Sequence, residues 1–78
     1  MYKKHTLDNL TKTELEQLID ECIVGFKAER NRKILKRKLI TGWTYEKTAE
    51  VFDMSVMQIK NIVYAGKEKI VKHIEVRA

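Results

Sequence analysis

No proline interrupts this chain, and glycine occurs only at positions 25, 42 and 66. A backbone with so few breakers is free to run as helix for long stretches, and it lacks the turn residues that a multi-stranded sheet needs. The expected fold is therefore all-α: a small four-helix domain, with Gly25 and Gly42 marking helix ends or kinks. At 78 residues the chain makes one domain, near the lower size at which a core stabilises a fold unaided.

Hydrophobic periodicity and capping residues divide the chain. Residues 1–10 have no clear period and are expected to form a flexible N-terminal arm. Both "TKTE" and "TELE" fit the capping box, so the first helix should start at Thr11 or Thr13. Leu15, Leu18, Ile19, Cys22 and Phe26 then share one face at helical spacing. Ile23 is left off that stripe. A second helix is expected from Lys27 to Thr41, with Ala28, Ile34, Leu35 and Leu39 inward and Gly42 as its left-handed stop. The third should be short, capped by Thr44, with Ala49 and Phe52 inward, and should end near Asp53. The fourth opens at Ser55 with a further capping box, Ser55 with Gln58. Met54 and Ile59 form its hydrophobic staple. Ile59, Ile62, Val63, Gly66, Ile70 and Ile74 hold one face over about five turns.

Charge is unevenly spread. Residues 1–26 carry three lysines against five acids, net −2, whereas residues 27–78 carry thirteen bases against six acids, net +7. The second part of the chain should therefore seek a polyanion, of which nucleic acid is the commonest in a cytosol. Cys22 is the sole cysteine, which excludes an internal disulfide and a multi-cysteine zinc site and fits a reducing cytosol. His5 and His73 have no partners at ligand spacing, so no metal is expected. The longest apolar run, "CIVGF", is too short to cross a membrane, and the basic start "MYKKHT" is followed by no apolar segment of the signal-peptide kind. There is no Gly-rich phosphate loop, no Cys–His arrangement and no carboxylate pair beside a plausible pocket. Neither enzymatic activity nor a cofactor is expected.

The stretch "TYEKTAEVFDMSVMQIKNIV" meets the physical requirements of a helix-turn-helix, placed at residues 44–74 within a domain of residues 11–78. Ala49 is small where two helices must cross. Asp53 tolerates the left-handed turn, and Met54, Ile59 and Ile62 lock the second helix onto the first. With its flanks, "ILKRKLITGWTYEKTAEVFDMSVMQIKNIVYAGKEKIVKHI" resembles region 4 of bacterial sigma factors and the related small helix-turn-helix proteins of phages and mobile elements. The resemblance covers roughly residues 30–75. It departs from the family pattern at Asp53, where glycine is usual, and at Val56–Met57, which replace a polar helix tip. Nothing in the chain corresponds to the promoter-melting, polymerase-gripping domain of a complete sigma factor.

These features point to a DNA-binding transcriptional regulator of bacterial or phage origin, cytoplasmic and nucleoid-associated. Its recognition helix would start at Ser55 and lie in the major groove. Met57, Lys60, Asn61 and Tyr64 are the expected base contacts: Asn pairs with adenine, Lys donates to guanine, and Met rests on a thymine methyl. Val56 should be half core. Thr44, Ser55, Lys67, Arg30, Lys33, Lys36 and Arg37 are the expected phosphate contacts, the first two through hydroxyls and free N–H groups at helix starts. Lys38 should lay its stem over the core, and Trp43 should cover the junction of the second and third helices. The expected partner is double-stranded DNA, bound with a second copy of the chain through the acidic first helix and Ile23. The alternative is a protein-interaction module that contacts RNA polymerase or another regulator through Met57 and Tyr64.

Overall fold

A computed structural model describes the backbone of residues 10–77 and the side chains through residue 75. Those residues form four helices and no strand. They are α1 (Lys12–Cys22), α2 (Ala28–Lys36, continued by a π-helical turn over Arg37–Thr41), α3 (Tyr45–Phe52) and α4 (Val56–Arg77). The expected N-terminal arm falls outside the described residues except for Leu10, which packs half-buried against the core.

Local chemistry sets the helix boundaries. At the start of α1, Glu14 N–H donates to Thr11 Oγ1 (3.1 Å) and Thr11 N–H donates back to Glu14 Oε1 (3.0 Å). This capping box satisfies two backbone donors that the first helical turn leaves open. At α4 the same reciprocal pair joins Ser55 and Gln58, at 2.9 and 3.1 Å. Thr44 caps α3 by accepting from Lys47 N–H at 3.0 Å. Gly42 is left-handed (φ 83°) and ends the π turn, with its N–H bonded to Arg37 O. Asp53 is also left-handed (φ 57°, ψ 49°). Met54 N–H reaches back to Ala49 O (2.9 Å), which closes the end of α3 and starts the chain into α4.

The core lies where α1, α2 and α3 pack on α4. Ile19, Ile34, Leu35, Ile59, Val63 and Ile70 have no exposed surface, with Leu15, Ile23 and Ala49 nearly so. Each fully buried Ile or Leu contributes roughly 1.5–3 kcal/mol. Thr48 is fully buried as well, and its hydroxyl donates to Thr44 O at 2.8 Å, so burial leaves no orphaned group. Gly66 allows α2 and α4 to approach closely: a Cβ built there would sit 2.5 Å from Leu35 Cδ1.

The α1–α2 junction differs from the sequence expectations. The helix ends at Cys22, before Gly25, and Ile23 takes an extended backbone (φ −99°, ψ 98°). That turn brings the Ile23 side chain into the core, 5% exposed, so it is not a leftover surface residue for a partner. It carries Phe26 the other way, to 88% exposure, so the stripe that began at Leu15 stops at Cys22. The second helix then starts one residue later than expected, because Lys27 is left-handed (φ 60°) and serves as the residue before it. Arg32 ties this loop down by donating from Nε to Ile23 O at 2.6 Å.

Candidate nucleic-acid interface

Helix α4 buries Ile59, Val63, Gly66 and Ile70 and turns the opposite side to solvent. At about 100° per residue, Met57, Asn61 and Tyr64 centre that outer side, and Lys60 and Lys67 run along one edge. Met57 is 66% and Tyr64 57% exposed, while Lys60 and Lys67 are half-buried at the edge. Val56 is half-buried, as its position between the two sides requires. Glu68 returns to the same side three turns after Met57 and pairs with Lys72 at 3.4 Å. A carboxylate there repels phosphate, so the part of this face suited to a polyanion is confined to the first few turns of α4.

Two flanks frame those turns. On one, Lys27 and Arg30 from the start of α2 share a shallow cleft with Met54, Gln58, Asn61 and Ile62. Arg30 is steadied there by two bonds to Asn31 Oδ1, both 3.1 Å. On the other flank lies a group of rings and cations at the start of α3. Lys38 Nζ stands 4.1 Å and Lys60 Nζ 5.5 Å from the centre of the Tyr45 ring. Arg37 Cζ stands 4.7 Å and Lys47 Nζ 5.1 Å from the Trp43 ring. Lys38 Nζ also donates to Trp43 O at 2.8 Å, which fixes Trp43 over the α2–α3 junction. The Tyr45 hydroxyl lies near that of Tyr64, where α3 packs on α4. Burial, and then the neighbouring Tyr64 hydroxyl, raise the Tyr45 hydroxyl above its ordinary pKa.

The residues expected at the site therefore separate. Met57, Lys60, Asn61 and Tyr64 share the outer side of α4, with Arg30 beside them. Arg37 reaches the second flank through Trp43. Lys33 and Lys36 do not join them: they line a groove facing α1 with Glu16, Arg37, Ile40 and Thr41, so Arg37 borders both this groove and the Trp43 ring. There Lys36 pairs with Asp20 at 3.0 Å and Lys33 approaches Glu29 at 4.0 Å. Ser55 has less to offer an anion than expected, because its N–H is already given to Gln58. The Thr44 and Ser55 oxygens act as caps, which leaves their hydroxyl protons as the free donors.

The sequence patterns did not single out Tyr45 and Lys47 as members of this surface. The signal was the basic-aromatic run "KRKLITGWTYEK", in which cations recur around Trp43 and Tyr45. Periodicity gave no reason to connect that run to Tyr64. No helix among the described residues is long and apolar enough to cross a membrane. No group of three His, Cys, Asp or Glu among them is placed to hold a metal ion. No family model matches the chain, and comparison with curated proteins and with solved structures finds no match.

Proposed function

We propose that this protein is a DNA-binding transcriptional regulator in which α3, the turn at Asp53 and α4 act as a helix-turn-helix of the sigma region 4-like kind. The observation that carries this reading is the outer side of α4. Met57, Lys60, Asn61 and Tyr64 stand together on a helix whose start is fixed by the Asp53 turn and the Ser55–Gln58 box, and cations flank it on both sides. Placed in a major groove, Asn61 has the donor and acceptor for adenine, Lys60 a donor for guanine or phosphate, and Met57 an apolar surface for a thymine methyl. Phosphate contacts would come from Arg30, Arg37 and Lys67 and from the hydroxyls of Thr44 and Ser55. So small a surface gives limited affinity alone, and a second copy or a protein neighbour on the DNA would add to it. A cytoplasmic, nucleoid-associated location in a bacterium, or in one carrying a phage, goes with this role.

Fluorescence anisotropy on random-sequence duplex DNA across a salt series tests the proposal. Binding should weaken steeply with salt and fall sharply in Lys60→Ala and Asn61→Ala. A folded protein that shows no binding at low salt would remove DNA from consideration. A second reading is favoured by the exposure of Met57 and Tyr64. In it, the same face docks on RNA polymerase or another regulator, and its binding would change little with salt.

A further inference from the structure

Many of the described cations are held in one of two ways. Lys33, Lys36 and Lys72 lie beside carboxylates. Arg37, Lys38, Lys47 and Lys60 lie on aromatic rings instead, and none of the four has a carboxylate partner among the described residues. The two arrangements restrain a side chain to a similar degree, since an exposed cation–π contact and an exposed ion pair are each worth about 1 kcal/mol or less. Their electrostatic consequences differ. A carboxylate cancels the charge that it holds, whereas a ring holds a cation and leaves both its charge and its outward N–H donors available.

We propose that Arg37, Lys38, Lys47 and Lys60, held on Trp43 and Tyr45, form a track for consecutive phosphates of one DNA strand beside the outer side of α4. This rests on the DNA-binding reading above. It assigns the backbone contact to the ring-held cations and takes it away from Lys33 and Lys36. Three features support it. The four cations meet at the junction of α2, α3 and α4, so the backbone there is fixed by the Thr44 cap and the Lys38–Trp43 bond. The track connects to the outer side of α4 through Lys60 and the Tyr45–Tyr64 contact. Its charge is partly pre-positioned, so less side-chain freedom is lost when phosphates arrive than with free cations.

Trp43 is the only tryptophan, so its emission reports on this track alone. The test is a titration of full-length protein with fluorescently labelled random duplex DNA, following both DNA anisotropy and Trp43 emission across a salt series. The comparison is between two double variants, Lys38→Gln with Lys47→Gln and Lys33→Gln with Lys36→Gln, each checked for helix content by circular dichroism. Trp43 emission should change with the same midpoint as the anisotropy. The slope of log K against log salt should shrink by about two in the first double variant, at roughly 0.9 per phosphate, and stay unchanged in the second. The track is overturned if DNA binding is lost in Asn61→Ala while the first double variant keeps the full slope and Trp43 emission stays flat. In that case DNA still binds α4. Equal slope losses in the two double variants would also overturn it, because they mean diffuse charge. No anisotropy change in the unaltered protein at low salt removes the track and the DNA-binding reading together.

Discussion

Lys36 and Lys38 leave the same helical segment close together and end in different surroundings. Lys36 turns toward α1 and meets Asp20 at 3.0 Å; Lys38 turns toward α3 and lies on Tyr45. The groove around Lys36 also holds Glu16, Lys33 and Arg37, and both of its lysines lie beside a carboxylate. Around Lys38 are Arg37, Lys47 and Lys60, with rings in place of acids. One helix thus serves a side where lysines meet carboxylates and a side where cations meet rings. Net charge alone does not say where a polyanion would sit; what each cation rests on does.

The comparison breaks most directly at Lys60. Lys60→Ala should weaken duplex binding on the order of tenfold or more, as loss of a groove contact typically does, whereas Lys36→Gln should change it by less than about twofold. A similar loss in both, measured by anisotropy at one salt concentration, would erase the distinction between the two sides.

The close approach beneath both sides gives the next effect. In Gly66→Ala the new methyl meets Leu35, which is fully buried and has little room to move. Thermal or urea unfolding should show a loss of roughly 1–3 kcal/mol. An unchanged midpoint would mean that α2 and α4 are not held this close.

The two left-handed residues other than glycine give a smaller pair. Lysine bears the left-handed conformation less well than aspartate, so Lys27→Gly should stabilise the fold by up to about 1 kcal/mol and Asp53→Gly by less. Urea midpoints would rank them, and the reverse order would count against strain at Lys27. On the side facing α1, Lys36→Gln should cost less than about 1 kcal/mol of stability, since the Lys36–Asp20 pair is partly exposed.

The smallest expected effect concerns Tyr45. Its hydroxyl holds its proton more tightly in the folded protein than in the unfolded chain, whose tyrosines titrate near pH ~10. Stability from this group is therefore complete below about pH 10 and is lost as pH rises past that value. Tyr45→Phe should flatten the alkaline fall in melting temperature. A fall of the same steepness in the variant would assign it to other groups.

Much of the fold could be read from the chain because its signals are local. Thr11 with Glu14 and Ser55 with Gln58 name helix starts within four residues, and Gly42 and Asp53 mark ends by their tolerance of the left-handed region. The stripe on α4 needs only a period. The α1–α2 junction could not be read this way: periodicity assumes that a helix continues, and the extended backbone at Ile23 exchanges the inward and outward positions that follow. The ring-held cations were hidden for a different reason. Tyr45 and Tyr64 lie on separate helices, and only the packing of α3 on α4 brings their hydroxyls together. The outer side of α4 was legible as a set of residues, because all four lie on one continuous helix.

The π turn over Arg37–Thr41 has a consequence for how the chain tolerates changes in length. Its closing bond spans five residues where an α-helix spans four, so the junction is one residue longer than a regular helix needs. Deleting one residue within it would leave every buried side chain in the sequence. It would, however, rotate Arg37 and Lys38 by about 100° against Trp43 and Tyr45. A substitution along this stretch keeps the register, but a deletion reassigns which cation meets which ring.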